Sequence, residues 1–305
     1  MKEVFKSALA IFLMLTFIPL VSFFFVDNSK GKFKVYNTDQ NKIIKLSPRE
    51  YVIGALCSEM PPSFHKEALK AQAVAIYTNA VRSTYLENEY IAKVSPKKLY
   101  GYTTKKILKE RWGKNFEAYF NKMCSAVDEV LGTVVTHNEE PILAAYHSMS
   151  SGKTESAENV WGEKIEYLVA AESEGDKLAA ELVKTKEFSI KQTRDILKSA
   201  LPDTFLPELD TLLFTDFEYS DSGTLVSAIV GDKKISGQKI REIFSLRSAC
   251  IEITVQNENI TFTTKGYGHA VGLSQYGADF LARQGSDFKE ILKHYYTGTS
   301  LLYSI

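Results

Sequence analysis

Residues 47–75 read SPREYVIGALCSEMPPSFHKEALKAQAVA, a stretch that predicts two helices separated by Pro61-Pro62. Its first four residues form a capping box with proline at the first helical position, so the first helix is expected to begin there. The second helix is expected over residues 65–87, where alanines and apolar residues recur at helical spacing. This arrangement puts Glu59 at the end of the first helix.

The position of Glu59 is unfavourable for an ionised carboxylate. The last turn of a helix leaves carbonyl oxygens unpaired and carries partial negative charge. Leu56, Cys57 and Met60 flank Glu59, and apolar neighbours also favour the neutral form of a carboxyl group. Glu59 is therefore a candidate general acid, because such a group must hold a proton near neutral pH. The competing and commoner case is a solvated glutamate at a helix end.

The composition of the whole chain bounds its class. The chain has 305 residues, 45% of them hydrophobic, which is enough for a full-sized core. Its 37 basic and 37 acidic residues cancel, so we predict no nucleic-acid partner. The three cysteines, Cys57, Cys124 and Cys250, are far apart and odd in number. Their spacing predicts buried thiols and not a disulfide framework or a zinc ribbon.

The N-terminus differs in kind from the rest of the chain. Residues 8–26 read ALAIFLMLTFIPLVSFFFV and carry no charge. This length is at the lower edge of what spans a bilayer. A cleaved signal peptide is the alternative, but residues 24–27 offer no small-x-small cleavage site, which favours a retained anchor. Lysines flank the segment on both sides and do not decide its orientation. We place the body on the outer face because a large globular region follows a short N-terminal tail.

The remaining elements alternate between helical and strand patterns. Helices are predicted over residues 104–130, 172–206, 237–244, 274–283 and 287–296. Strands are predicted over residues 133–135, 142–146, 211–219, 224–230, 250–255 and 260–264. A hairpin is expected at Ser220-Asp221-Ser222-Gly223. We therefore predict an α+β fold, with a membrane anchor at residues 1–27, a tether and first strand at 28–46, and one mixed helix and antiparallel-sheet catalytic domain at 47–305.

A second candidate site follows a predicted strand, in residues 146–155, YHSMSSGKTE. Loops at strand ends often present binding groups, although polar turns favour Ser and Gly without any function. A nucleophile formed by His147 and Ser148 would lack an acidic third member. A metal site would use His137 and His147, and two histidines without a third clear ligand are weak evidence.

A third candidate site is the glycine-rich block at residues 265–278, KGYGHAVGLSQYGA. Its glycines do not fit a dinucleotide-binding fingerprint, and no βαβ unit surrounds them. They indicate a tight backbone that projects His269, Ser274 and Gln275 at the start of a helix, where oxygen-rich ligands bind favourably. A lone histidine is more often a satisfied structural residue. Gln72 is a further candidate, because helix packing explains the alanines around it but not the glutamine.

Taken together, these blocks resemble the stage II sporulation protein D family of membrane-anchored peptidoglycan lytic transglycosylases and related amidase enhancers. The matching runs occur in family order and cover essentially everything after residue 45. They lie at residues 50–52, 58–61, 67–75, 147–155, 246–248, 266–278 and 290–296.

The resemblance implies cleavage of the β-1,4 bond between N-acetylmuramic acid and N-acetylglucosamine, with Glu59 as the catalytic residue. Glu59 would protonate the leaving oxygen and then deprotonate the 6-hydroxyl of the sugar, closing a 1,6-anhydro ring. A second carboxylate, which other glycosidases need, is then dispensable. Residues expected to bind the substrate are Gln72, His147, Ser148, Ser150, Lys153, Thr154, Glu155, His269, Ser274, Gln275 and Tyr276.

The resemblance also implies a setting and partners. The protein would act on denuded glycan strands in septal wall remodelling during engulfment, with a cell-wall amidase and the membrane scaffold of the engulfment machinery as partners. Its catalytic domain would lie on the extracytoplasmic side of the cell membrane, at the mother-cell face of the septum. We predict no required metal or cofactor.

The chain departs from the family pattern at two places. Ile76-Tyr77-Thr78 stands where the family commonly has Ala-Arg-Thr, so a charge that would position or tune Glu59 is missing. Ala270 stands where the family usually has glycine. The main alternative to an enzyme is a module that binds glycan and stimulates an amidase without cutting. A weaker alternative is a metal hydrolase that uses His137 and His147.

Overall fold

The computed structural model describes residues 31–303. Helices and mostly antiparallel strands make up these residues, which confirms the predicted α+β class. Residues 8–26, where a membrane anchor is predicted, lie outside the described part. Within residues 31–303, no helix has both the length and the apolar character to cross a membrane. The predicted boundaries at residues 27 and 46 stay predictions.

The elements are numbered in chain order. The helices are α1 (Pro48–Glu59), α2 (Lys66–Tyr85), α3 (Lys105–Trp112), α4 (Phe116–Asp128), α5 (Ala157–Trp161), α6 (Ile190–Ala200), α7 (Gly237–Ile243), α8 (Gln275–Arg283) and α9 (Phe288–Tyr295). The strands are β1 (Phe33–Asn37), β2 (Lys42–Leu46), β3 (Ala92–Val94), β4 (Thr133–His137), β5 (Glu140–Pro141), β6 (Tyr146–His147), β7 (Val183–Ser189), β8 (Phe214–Tyr219), β9 (Leu225–Val230), β10 (Lys233–Ser236), β11 (Ile251–Gln256), β12 (Asn259–Lys265), β13 (Leu273–Ser274) and β14 (Ser300–Tyr303).

The described residues form two compact units. The first unit contains residues 31–62, 73–143 and 301–303, and the second contains residues 63–72 and 144–300. Candidate residues fall in both units. Glu59 belongs to the first unit, and all eleven residues predicted to bind substrate belong to the second.

The first unit is built around α1. Ser47 caps this helix, and the predicted capping box with Glu50 is present, so the predicted start is confirmed. The helix ends at Glu59, as predicted, because Met60 adopts an extended conformation. A sheet of order β2-β1-β3 leads into it. Most of the helix is buried, including Leu56 at 0% exposure.

Gly54 lets a loop approach the middle of α1 closely. A Cβ added at Gly54 would lie 2.3 Å from the Tyr102 ring and 2.6 Å from the Thr103 carbonyl oxygen. The Thr103 amide donates a 3.1 Å hydrogen bond to the Gly54 carbonyl. The loop that precedes α3 is therefore fixed against the helix one turn before Glu59.

The second unit holds two three-stranded antiparallel sheets, of order β10-β9-β8 and β11-β12-β7. Its core is aromatic. The Phe244 and Phe262 rings stack with centroids 4.4 Å apart, and Phe214 meets Phe262 edge-on at 5.7 Å. The hairpin predicted at residues 220–223 is confirmed between β8 and β9.

Two of the predicted elements are wrong. Residues 172–206 are helical only over α6 and a short 3-10 turn, while β7 takes the middle of the segment. This strand pairs with β12 along its full length, and the partner strand supplies backbone hydrogen bonds that a local pattern does not reveal. Of the strand predicted over residues 142–146, only Tyr146 is in a strand, at the start of β6, and residues 142–145 form no strand.

We predict that Gly54→Ala destabilises the protein by about 2 kcal/mol, because the added methyl overlaps the Tyr102 ring and the Thr103 carbonyl. Helix propensity alone predicts the opposite, a gain of about 1 kcal/mol. Urea denaturation followed by circular dichroism measures the change. Ala118→Gly, at an exposed site in α4, is the control and is expected to lose about 1 kcal/mol. A Gly54→Ala protein as stable as the parent would contradict the close approach.

Candidate functional sites

The Glu59 carboxyl group of the first unit is half-buried at the end of α1. Burial raises its pKa above the usual range of a glutamate, while the Gly101 amide donates a hydrogen bond that favours the carboxylate and partly opposes this shift. The structure therefore agrees with the direction of the pKa shift that the sequence predicts. Gly101 was not anticipated from the sequence, because nothing in its local pattern links it to Glu59.

Aromatic side chains pack on the sheet side of the same helix. Tyr51 is buried, and burial together with the nearby charge of Glu59 raises the pKa of its hydroxyl. Phe33 meets Tyr51 edge-on at 5.8 Å and lies 6.1 Å from the Tyr77 ring. Tyr77, which stands where the family commonly has arginine, is thus a buried core residue at 3% exposure.

The eleven candidate residues of the second unit differ in exposure. Those that are half-buried are Ser148, Lys153, His269 and Tyr276. Those that are buried are Gln72, His147, Ser150, Thr154, Glu155, Ser274 and Gln275. Their role in binding substrate stays a prediction.

A buried aspartate that the sequence analysis missed organises part of this set. Asp176 has 0% exposure and accepts hydrogen bonds from the Ser150 amide at 2.7 Å and the Ser150 hydroxyl at 2.6 Å. Its other oxygen accepts from the Ser274 hydroxyl at 2.6 Å. Burial raises the Asp176 pKa despite these hydrogen bonds. Asp176 therefore joins the turn after β6 to the start of α8, where Ser274 is the N-cap.

Glu155 makes a comparable set of contacts. Its carboxylate accepts hydrogen bonds from the Ser156 amide at 2.8 Å and the Asn159 side chain at 2.9 Å, and also from the hydroxyls of Ser220 and Ser222. Burial opposes ionisation, but these hydrogen bonds outweigh it and lower the Glu155 pKa. The hairpin between β8 and β9 is thereby held to the turn that carries Glu155.

Three of the half-buried residues, Lys153, Ser148 and Tyr276, contact other residues of the second unit. The Lys153 ammonium lies 3.4 Å from a Glu172 carboxylate oxygen. The Tyr276 amide donates to the Ser148 carbonyl at 3.1 Å. The Tyr276 ring meets Phe64 edge-on at 5.0 Å. The hydroxyl of Thr154, which is fully buried, accepts a 2.8 Å hydrogen bond from the Ala171 amide.

His147 and His269 lie together, with ring centroids 5.7 Å apart. The His147 Nδ1 atom faces the Val271 carbonyl at 3.2 Å and must donate to it. Its Nε2 atom is buried, and no described residue provides it with a hydrogen-bond partner. Nδ1 of His269 accepts from the Val271 amide at 3.1 Å, and the ring also bonds the Tyr146 backbone. Both rings are neutral, because burial lowers the His147 pKa to about 3 and the His269 pKa to about 4.

Gln72 and Gln275 form a buried amide pair. The Gln275 Nε2 donates to the Gln72 Oε1 at 3.3 Å. Among the described residues, the Gln72 Nε2 meets no acceptor. The glutamine that interrupts the alanines of α2 is thus not explained by the packing of that helix alone.

The glycine-rich block has the tight backbone that its sequence predicts. Gly268 has a φ of +119°, and a Cβ there would lie 2.7 Å from the His147 Cβ. At Gly272 a Cβ would lie 2.2 Å from the Ala145 carbonyl oxygen. Ala270 also has a positive φ, 65°, at the position where the family usually has glycine.

Among the described residues, no third side chain joins His137 and His147 to form a metal site. Over residues 31–303, no group of three or more His, Cys, Asp or Glu side chains is arranged to hold a metal ion.

Known proteins resemble this chain over most of its length. The family described as Stage II sporulation protein matches residues 36–137, which include Glu59 and Gly101. Stage II sporulation protein D of Bacillus subtilis (strain 168) is 35% identical over 272 residues, which are 88% of this chain and 78% of that protein. The protein of the same name from Bacillus amyloliquefaciens is 35% identical over 272 residues, 88% of this chain and 77% of that protein.

A more distant relative is the amidase enhancer of Bacillus subtilis (strain 168). It is 25% identical over an alignment of 296 residues, and the match covers 81% of this chain and 40% of that protein. Together the matches place the chain among sporulation proteins. It belongs to the stage II sporulation protein D family, which confirms the resemblance drawn from its motifs.

The buried His147 and the half-buried His269 predict a loss of stability in mild acid. Each has a folded pKa below its ordinary value of 6.5, so the unfolded chain binds more protons between these values. Their contribution is fully present above about pH 6.5 and is lost as the pH falls toward about 4, by up to about 1.4 kcal/mol per pH unit for each ring. Urea denaturation at several pH values in this window measures the slope. His147→Gln should make the slope shallower, and equal slopes would contradict the assignment.

We expect Ala270→Gly to stabilise the protein. A left-handed conformation costs an L-residue about 1–2 kcal/mol, of which the greater freedom of glycine in the unfolded chain returns about half. The expected net gain is about 0.5–1 kcal/mol, measured as a shift of the urea midpoint. Ala118→Gly in α4 is again the control and has the opposite sign. A loss of stability in Ala270→Gly would show that the conformation is not strained.

Proposed function

We propose that this protein is a membrane-anchored lytic transglycosylase. It cleaves the β-1,4 bond between N-acetylmuramic acid and N-acetylglucosamine in denuded glycan strands and leaves 1,6-anhydro-muramic ends. Membership of the stage II sporulation protein D family supports a role in sporulation. The environment of Glu59 supports the chemistry.

The main support for this proposal is that two influences act in opposite directions on the pKa of the Glu59 carboxyl group. Burial favours the protonated carboxyl group, which a general acid requires. The hydrogen bond from the Gly101 amide favours the carboxylate, which a general base requires. A lytic transglycosylase needs both states of one group in succession, so an environment that supports each of them suits this reaction.

The proposed reaction balances without water. Glu59 donates its proton to the glycosidic oxygen as the bond from C1 of muramic acid to that oxygen breaks, with positive charge developing on the ring. The 6-hydroxyl oxygen of the same sugar then forms a bond to C1. Its proton passes to the Glu59 carboxylate, which returns to its starting state. A second carboxylate is not required, because the substrate supplies the nucleophile.

The proposed setting is the septal wall during engulfment. Residues 8–26 anchor the chain in the cell membrane, and the remainder lies on the extracytoplasmic side, at the mother-cell face of the septum. The similarity to an amidase enhancer supports a cell-wall amidase as a partner that strips the stem peptides. The membrane scaffold of the engulfment machinery is a further proposed partner.

In the second unit, we propose that the half-buried residues Ser148, Lys153, His269 and Tyr276 contact the sugar. The buried members of the set would then act by fixing the backbone around them. Asp176 already bonds the Ser150 and Ser274 hydroxyls, and the Glu155 carboxylate bonds the Ser156 amide.

A second candidate function is a glycan-binding enhancer of an amidase that does not cut the strand. The 25% identity to the amidase enhancer favours it. Both functions require glycan binding, but only the transglycosylase requires Glu59.

We expect Glu59→Gln to lower the rate of glycan cleavage by about 100-fold to 10,000-fold, because it removes the proton donor and the base. Purified full-length protein is incubated with denuded strands, and the products are analysed by mass spectrometry. Anhydro-muramic ends are lighter than hydrolysis products by one water molecule. Glu117→Gln, an exposed glutamate in α4, is the matched control and should retain activity.

Each result separates the two functions. Equal release of anhydro products by the parent and by Glu59→Gln would overturn the catalytic assignment. Binding without cleavage by either protein would favour the enhancer.

A further inference from the structure

A closed turn precedes the residue that bonds to Glu59. The backbones of Ser95 and Tyr100 pair through two hydrogen bonds of 2.9 and 3.1 Å. They enclose a 3-10 turn at Pro96–Lys98, and Leu99 has a left-handed conformation with a φ of 54°. The whole turn belongs to the first unit.

Asp39 holds this turn from outside. Its carboxylate accepts a 2.5 Å hydrogen bond from the Ser95 hydroxyl and a 2.9 Å hydrogen bond from the Lys97 amide. These hydrogen bonds, together with the nearby charges of Lys97 and Lys98, lower the Asp39 pKa. The backbone from Ser95 to Tyr100 is therefore fixed at both ends and in the middle.

The Tyr100 side chain is 63% exposed although its backbone is fixed. The next residue, Gly101, supplies the amide that bonds to the Glu59 carboxylate. Consecutive Cα atoms are about 3.8 Å apart, so the Tyr100 backbone lies one residue from the amide that bonds to the proposed catalytic group. An exposed aromatic residue alone needs no explanation. Here it stands on a rigid turn, one residue before the amide that bonds to Glu59, and the flat apolar face of its ring suits the apolar face of a pyranose ring.

The sequence around the turn is rich in lysine, and the Asp39 carboxylate bonds to the turn. Residues 93–106 contain five lysines and no Asp or Glu, in a chain whose net charge is zero. Lys97 and Lys98 are both exposed on the turn itself. A local concentration of one charge sign attracts an oppositely charged ligand. Denuded glycan is such a ligand, because each muramic acid then carries a free lactyl carboxylate.

We propose that residues 97–100 form a sugar-binding subsite, in which the Tyr100 ring stacks on a pyranose and Lys97 and Lys98 bind the lactyl carboxylate of muramic acid. Asp39 is a positioning residue for this subsite. The proposal rests on the function proposed for Glu59 and names the part of the substrate that lies beside it.

Binding is measured in a Glu59→Gln background, so that cleavage cannot alter the ligand. The probe is a soluble denuded oligosaccharide of alternating N-acetylglucosamine and muramic acid, titrated by calorimetry. Tyr100→Ala should weaken binding by about tenfold, and Tyr100→Phe should restore it to within about twofold, because stacking uses the ring and not the hydroxyl. Tyr85→Ala, at another exposed tyrosine of the first unit, is the control and should bind like the parent.

The lysines are tested with two ligands. Replacing Lys97 and Lys98 together by alanine should weaken binding of the muramic acid oligosaccharide by about tenfold and make it less sensitive to salt. It should leave binding of a chitin oligosaccharide unchanged, because that ligand lacks the carboxylate. An equal loss for both ligands would overturn the assignment of the carboxylate to these lysines.

The outcomes separate this inference from the proposed function. If Tyr100→Ala binds as tightly as its parent, or the parent binds neither ligand, the subsite is wrong whatever Glu59 does. If Glu59→Gln still cleaves glycan but Tyr100→Ala loses binding, the subsite stands and the catalytic role fails. Thermal unfolding of each variant confirms that a loss of binding does not come from a loss of folding.

Discussion

The close approach of the Tyr102 ring and the Thr103 carbonyl to Gly54 is the constraint on which the first candidate site depends. A side chain at position 54 would overlap this ring and carbonyl, and its absence lets the Thr103 amide reach the Gly54 carbonyl. The same stretch then brings the Gly101 amide to the Glu59 carboxylate. A helix that would otherwise gain from alanine at this position has glycine instead. The cost in helix propensity is offset by the placement of a hydrogen-bond donor at its C-terminal end.

That donor changes what the end of the helix can do. A buried carboxyl group without a partner would remain protonated and could act only as an acid. A fully solvated one would be ionised and could act only as a base. Glu59 lies between these limits, because its burial and the Gly101 hydrogen bond act in opposite directions. The turn at residues 95–100 directly precedes Gly101, so one loop both supplies the hydrogen bond to the carboxyl group and carries the exposed ring of Tyr100.

The second unit uses carboxylates for a different purpose. Asp176 and Glu155 are buried and accept hydrogen bonds from serine hydroxyls and backbone amides, and so hold turns and helix starts in place. Such a network is stabilising only when every member is satisfied. This network gives buried serines of the motif a structural role. It therefore explains why they are found in a motif of this kind although they do not face solvent. The tight glycine block serves the same end, since Gly268 and Gly272 allow the backbone to approach His147 and Ala145.

Local patterns predicted those features whose cause is local. The capping box at Ser47, the end of α1 at Glu59 and the hairpin at residues 220–223 were all found where the sequence predicts them, because each depends on neighbours within a few residues. The helix predicted through residues 172–206 failed over β7. This strand is exposed along most of its length, and its pairing with β12 decides its conformation.

The sequence by itself determined the family, the α+β class and the position of Glu59 at a helix end. The order of the motifs and the residues that begin and end a helix can be read from the sequence alone. Only the tertiary structure decided what surrounds these residues. It made Tyr77 a core residue, gave Asp176 its place beneath Ser150 and Ser274, and brought Gly101 and the Tyr100 turn to Glu59. These pairs are far apart along the chain, and their meeting depends on burial and backbone hydrogen bonds that form only when the whole unit folds.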